Sequence, residues 1–459
     1  MPAGYKGMDL VCPLDYRYGR ERVKKIFSEE SRLAHQLRVE AALARAHAAL
    51  GTIPGDAAEE ISRKATLDHV SVSRVNEIER EIRHDVMAMV KALAEVSGEA
   101  GKYVHLGATS YDIVDSANAL QMLQAIEILE EDLQEVLRRL LHLAERYRDA
   151  VMLGRTHGQY ALPITFGLKM AVFASETHRH LERLRWCRRE VGVGKMSGAV
   201  GSGAALGSRF LNLQEMVMEE LGLQAEVPST QIVGRDRYIA FLGVLANLAA
   251  SMEKFATEIR NLQRSEIGEV AEGFGQKQVG SSTMPHKRNP IVCEQICGLA
   301  RVVRAQVLPA WENAVQWHER DLCNSSSERF VIPHAVVLTD WILAQMAEVF
   351  AHLEVFPERM RENIQRSQGL PMAEAVMMLL VDKGMGRQEA HELLRLCSGQ
   401  ALATGSHLGE VLTATDAVCS LVDEEEVVDA LDAEKYVGEA KKLVDATVER
   451  LTADEAKQQ

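Results

Sequence analysis

The sequence predicts an all-α protein built around long helices, and three observations carry that prediction. A run from Gly107 to Gly154 contains no intervening Gly or Pro. Within it Ile126, Leu129, Leu133, Val136, Leu140, Leu143 and Tyr147 recur at spacings of three and four, an apolar seam of helical period. The composition agrees: aromatic residues are 5% and prolines number 11, while Ala, Leu, Met, Glu and Arg abound. Period-two alternation is not conspicuous anywhere, so no large sheet is expected.

Taken in chain order, the pattern predicts a charged helix over 20–50, a turn at 51–55 and a helix over 75–96. The central run, about forty helical residues, would span ~60 Å and needs partners of comparable length. Four more segments free of Gly and Pro supply them, at 168–191, 244–267, 310–332 and 334–356. Together they read as an elongated helical bundle. Beyond residue 365, shorter segments are broken at Gly369, Pro371, Gly384, Gly386, Gly399, Gly405 and Gly409. The tail EEEVVDALDAEKYV reads as a charged surface helix. With 459 residues the length prior is roughly three domains. The pattern places them at 1–109, 110–364 and 365–459.

Charge and cysteine usage exclude several classes. Lys and Arg total 52 against 66 Asp and Glu, a net charge of −14. A general binder of nucleic acid or acidic membrane needs the opposite sign, so neither partner is expected, although a small anion in a local basic pocket remains compatible. Seven scattered cysteines form no CxxC pair, which fits a reducing compartment. The N-terminus shows no signal or transit pattern, and the longest uncharged stretch, 238–252, is too short to span a membrane. A cytoplasmic location is expected.

Four small, polar islands interrupt the helices, at 105–115, 154–163, 192–208 and 273–290. Loops on a rigid scaffold are where function concentrates. In the last island Gly273, Gly275 and Gly280 precede Ser281 and Ser282, then MPHKRNP opens a helical run at Ile291. A helix N-terminus with Lys287 and Arg288 beside it would attract an anion. His157, between Thr156 and Gly158, is a candidate general acid because histidine titrates near neutral pH. His286 is the base that chemistry alone would choose. No HxxxH or HExxH pair occurs, and Cys293 and Cys297 have no second pair nearby. No metal and no organic cofactor is expected. GVGKMSGAVGSG lacks the spacing of a phosphate-binding P-loop.

These islands carry a family resemblance. SSTMPHKRNP at 281–290 resembles the signature loop of the fumarase/aspartase superfamily, and the similarity runs from DYRYG at 15–19 to SSSER at 325–329. That loop also suits the cycloisomerase branch. RHDV at 83–86, TSYDIVD at 109–115, RTHG at 155–158, TQIVGRDR at 230–237 and WHERD at 317–321 resemble the adenylosuccinate lyase family more closely. The resemblance implies a three-domain fold with a central long-helix bundle, and a homotetramer whose core holds twenty helices and whose active sites are shared between subunits. It implies β-elimination of fumarate from a succinylated purine nucleotide or ribotide. The runner-up is a carboxymuconate cycloisomerase or another fumarate-releasing lyase, and an inert assembly protein on the same scaffold is the alternative of a different class.

The roles the resemblance implies are as follows. His157 is the general acid and Ser281 the base; Lys287 and Asn289 stabilise the aci-carboxylate, and Glu294 supports the histidine network. His84 contacts substrate or orients the acid, and His105 is either a similar contact or structural. Substrate is bound by Arg83, Asp85, Thr109, Ser110, Gln231, Ser282 and Arg288. The phosphate falls to Ser325 and Arg329, with Arg17 and Tyr18 nearby. One departure bears on the phosphate contacts: Cys323 and Asn324 stand where the family often has serine and histidine.

Overall fold

The computed structural model describes residues 11–275, 283–284 and 286–456, with side chains through 454. The all-α expectation holds. Strands are confined, among the described residues, to three two-stranded pieces. The central run is one helix, Ser110–Arg146, of 37 residues, or about 55 Å. Its seam is the core: Ile126, Leu129, Leu133, Val136 and Leu140 are completely buried. Phe166–Val191 and Asp236–Leu262 are its expected long companions.

Side chains tie these helices together. Arg188 reaches Glu130 at 3.2 Å, His180 meets Ser251 at 2.8 Å and Lys169 meets Glu258 at 2.7 Å. Phe173 stacks on Phe255 at 4.1 Å, and Phe255 lies 6.4 Å from Phe350. Asp236–Leu262 and Cys323–Ala351 are apolar enough over a window to cross a membrane by composition alone, but most of each window is buried in the protein.

Several expected helices break or shift. The 20–50 segment is Glu21–Lys24, a 3₁₀ turn at Lys25–Phe27, then Glu29–Ala49. Ser28 makes the break by capping the last helix, its Oγ accepting from Ser31 N–H at 3.2 Å. After the turn an unforeseen helix, Gly55–Lys64, buries Ala57, Ala58 and Ile61. The 75–96 segment is two helices, Val72–Ile82 and Asp85–Val96, separated at Arg83 and His84. The expected pair 310–332 and 334–356 is corrected to a short helix, Val307–Glu312, and one long helix, Cys323–Ala351, that runs through Pro333. Asp321 sets that start: its carboxylate accepts from Trp317 N–H at 2.7 Å and Cys323 N–H at 2.8 Å.

Packing divides the chain into two compact units. One holds residues up to 134, 180–253 and 296–345; the other holds 135–179, 254–295 and 346 onward. This partition follows contact in space, whereas boundaries at 109 and 364 follow chain order. In the first unit a core of Leu37, Leu43, Ile61, Met89, Leu93 and Ile113 joins the N-terminal helices to the start of the long helix. In the second, Val376, Leu380, Leu408, Leu412, Val418 and Val427 form a separate small core. The acidic tail is helical at Glu424–Ala430 and opens with a capping box of Asp423 and Glu426.

Candidate active site

In the first unit, a cavity of about 860 Å³ collects residues scattered along the chain from Phe27 to Pro333. Arg83, His84, Asp85, Ser110, Gln231, Ser325 and Arg329 all line it. That volume suits a small organic ligand. The break between two helices supplies the first three. Arg83 takes a left-handed backbone (φ 54), sparsely populated for a side chain with a Cβ. His84 then caps the next helix, its Nδ1 accepting from Met87 N–H at 3.3 Å, which puts the ring proton on Nε2. Asp85 accepts from Val86 N–H at 2.8 Å and from Arg329 Nη2 at 2.5 Å. Burial raises the Asp85 carboxyl pKa, but the Val86 bond and the Arg329 charge outweigh it and hold the group below its ordinary value.

Ser325 and Arg329 sit four residues apart on the first turns of Cys323–Ala351, hence on one face. Thr109 lies just before the long helix, and its N–H donates to Asp112 at 2.8 Å. Gln231 is held twice: its N–H donates to the Glu319 carbonyl at 3.3 Å and its Nε2 to the Ala199 carbonyl at 2.9 Å.

Sequence reasoning passed over Arg320, although WHERD was in view. Arg320 lines the same cavity. Its guanidinium lies 3.7 Å from the Tyr111 ring centre, and Nη1 donates to Asn324 at 2.7 Å. Its Nη2 is buried without a hydrogen-bond partner among the described residues. A buried donor in want of an acceptor is costly to leave unmet and suits an anionic ligand. Behind it Arg235, 1% exposed, is bidentate to Asp115 and also grips Glu328. The wall is therefore mixed in charge: Arg32, Arg83, Arg320 and Arg329 face Glu29, Glu79, Asp85, Asp321 and Glu328.

The second unit carries the other expected groups. His157 stands on an exposed hairpin turn, not at a helix entrance. Val151–Thr156 pairs with Gln159–Thr165, and Thr156 faces Gln159 across a two-residue turn. His157 (φ 53) and Gly158 (φ 75) are both left-handed, as the hairpin's twist requires. Arg155 anchors this hairpin through a bidentate pair to the buried Glu269, at 2.7 and 2.9 Å. Asn363 donates to the same carboxylate at 2.8 Å.

The helix N-terminus after the signature loop is already served. The Glu272 carboxylate accepts from Val292 N–H at 3.2 Å and Cys293 N–H at 2.6 Å. Arg288 is committed to Glu354 and to the Glu272 carbonyl at 3.1 Å. Two of the N–H groups expected to face an anion are thus taken up by Glu272. Lys287 and Glu294 are exposed and Asn289 is half-buried. Ser281 and Ser282 lie outside the described residues.

Among the expected residues of the first unit, Arg17, Tyr18, His105 and Thr109 are not in the cavity lining. Arg17 donates to the Tyr18 hydroxyl at 3.3 Å, and Tyr18 packs edge-on against Trp341 at 5.3 Å. His105 is half-buried, its Nδ1 2.6 Å from Glu40 and its N–H donating to the same carboxylate at 3.1 Å, which is a structural tie. Among the described residues, no group of His, Cys, Asp or Glu is placed to hold a metal.

Comparison with known proteins follows the same lines. A family model described as lyase matches residues 16–305, and one described as adenylosuccinate lyase C-terminus matches 369–447. The adenylosuccinate lyase of Pyrococcus abyssi is 50% identical over 95% of this chain and 97% of its own. Among solved structures, a fumarate lyase from Mesorhizobium sp. BNC1 superposes with a TM-score of 0.87 at 35% identity, over 94% of this chain and 98% of that one. A 3-carboxy-cis,cis-muconate lactonizing enzyme from Pseudomonas putida gives 0.86 at 34%, over 95% and 98%. The fold is common to these branches, but identity is markedly higher to the adenylosuccinate lyase, and the C-terminal model is described by that enzyme's name. The chain belongs to the adenylosuccinate lyase family of the fumarase/aspartase superfamily.

Proposed function

We propose that the protein cleaves adenylosuccinate to AMP and fumarate, and succinylaminoimidazole carboxamide ribotide to its carboxamide product and fumarate, in purine nucleotide synthesis. One observation carries the reading most: the convergence of Arg83, His84, Asp85, Ser110, Gln231, Ser325 and Arg329 on one cavity. Arg329 and Ser325 take the phosphate, since a guanidinium donates in pairs to such oxygens. Arg320 joins them with its unpartnered Nη2. Arg17 and Tyr18 are assigned to the same end of the substrate.

The reaction is a β-elimination. A base removes the proton from the succinyl carbon next to a carboxylate, and the electron pair passes into that carboxylate as an aci form. The pair then returns to form the C=C bond as the C–N bond breaks, and the departing nitrogen takes a proton. Ser281 is the base and His157 the acid in this scheme. Lys287 and Asn289 offset the doubly charged aci-carboxylate, and Ser282 and Arg288 bind the succinyl part. Glu294 supports the histidine network, while Asp85, Thr109 and Gln231 orient the substrate. No metal or cofactor enters.

The working form is a cytoplasmic homotetramer with active sites shared between subunits. The cytoplasm suits cysteines that are mostly buried. The test is fumarate absorbance at about 240 nm, a property of its conjugated dicarboxylate. A rise with adenylosuccinate and none with argininosuccinate is expected, and carboxymuconate, whose lactonisation consumes a conjugated diene and releases no fumarate, is expected to keep its own absorbance. A fumarate rise with argininosuccinate alone, or loss of the carboxymuconate diene absorbance, overturns the reading.

A further inference from the structure

The glycine-rich island at 192–208 has no part in the scheme above, yet it is built around a buried charge. Lys195 and Asp112 pair with both side chains completely buried. The Asp112 carboxylate also accepts from Ser197 N–H at 3.0 Å, Gly198 N–H at 3.1 Å and Thr109 N–H at 2.8 Å. One carboxylate thus fixes the backbone of two islands. The loop beyond it is pressed close to its neighbours. A Cβ on Gly201 would meet the Ser229 carbonyl oxygen at 2.0 Å, and one on Gly203 would meet the Phe210 ring at 2.2 Å. Ser197 Oγ bonds Ser229 Oγ at 2.8 Å. The loop then presents the Ala199 carbonyl to Gln231 Nε2 at 2.9 Å.

We propose that the Lys195–Asp112 pair and the loop it holds are a positioning device for Gln231 at the cavity wall. With Nε2 committed to Ala199, the carboxamide oxygen is the group left to accept from an N–H donor of the ligand. Thr109, on the same carboxylate, sets the backbone entering Ser110. An apolar pair of similar volume would serve the fold as well as a buried ion pair does. The charge gathers four donors at one point and so fixes orientation. Neither Lys195 nor Asp112 lines the cavity, so both act through other groups.

The proposal rests on the adenylosuccinate lyase reading, and a double-mutant cycle of Lys195→Met and Gln231→Ala tests it. Lys195→Met is expected to lower kcat/KM for adenylosuccinate about tenfold, mainly through KM, and less than about twofold in the Gln231→Ala background. Equal losses in both backgrounds, or none in either, overturn it. Ser229→Ala gives a second cycle should Lys195→Met fail to fold. It removes only the Ser197 bond, and a smaller KM rise of about threefold that again disappears without Gln231 is expected; a rise that persists overturns the proposal. Amide exchange of the ligand-free Ser229→Ala protein is the arm independent of substrate. Faster exchange confined to the backbone around 197–203 supports the device, and unchanged protection there overturns it. A wild-type protein that releases no fumarate overturns the functional reading, while the exchange result still decides whether the loop is held as described.

Discussion

Arg329 Nη2 and Asp85 hold each other in the cavity at 2.5 Å, so a phosphate bound there shares the guanidinium with a carboxylate. Arg329→Ala removes that phosphate contact. It is expected to lower kcat/KM by about 10- to 100-fold, chiefly through KM, in steady-state assays. His105 makes a second residue-scale prediction. Burial disfavours its charged form, but the charge and hydrogen bond of Glu40 outweigh burial, with Asp112 adding, and its pKa is raised. A raised histidine stabilises the fold fully below the unfolded pKa of about 6.5 and loses that contribution as pH rises through the folded value. Melting temperatures of His105→Asn and the parent, measured across pH 6 to 9, are expected to converge as pH rises. A constant gap contradicts this. Most site residues were legible because they stand in recognisable strings. Arg320 was not, because a motif names a residue without showing its buried, unpartnered nitrogen. Arg83 and His157 take left-handed backbone, with φ of 54 and 53, a strain that functional sites often hold; His105, His318 and Gln368 share it outside the cavity lining.

Elements were legible where periodicity decides and illegible where a single side chain does. The 37-residue helix follows from its uninterrupted seam. The helix breaks at Ser28, His84 and Asp321 follow from side chains that accept backbone N–H groups, a local competition that period counting does not register. Pro333 misled in the opposite sense, since the Cys323–Ala351 helix accommodates it. The hairpin at RTHG was missed because a two-residue turn of His157 and Gly158 lacks the usual Asn-Gly signal. Gly158 has φ 75 and open space around its Cβ position, so Gly158→Ala isolates backbone strain. It is expected to cost about 1–2 kcal/mol, read by denaturant melts. It should lower kcat as well if the turn aims the acid, with Gly158→Asn milder on both counts. His157→Gln is expected to reduce kcat by about 10²- to 10⁴-fold while leaving the melt unchanged. Retained kcat would remove His157 from the role of acid.

At the scale of the whole molecule, a net charge of −14 coexists with a cavity bearing four arginines among its acidic wall residues. The acidic total argues against polymeric phosphate partners and says nothing against one phosphate bound by a placed guanidinium. The long-helix architecture was readable from sequence; the partition into two units was not, because it depends on which side chains meet in space. The proposed tetramer predicts a solution mass near four times 50.9 kDa by light scattering, with specific activity falling as dilution dissociates it. A fully active monomer contradicts shared sites. The most direct measurement of the central claim is a crystal structure with AMP and fumarate bound. The account predicts the phosphate against Ser325, Arg329 and Arg320, with Gln231 within hydrogen-bond distance of the ligand. A nucleotide seated elsewhere, with that cavity empty, contradicts it.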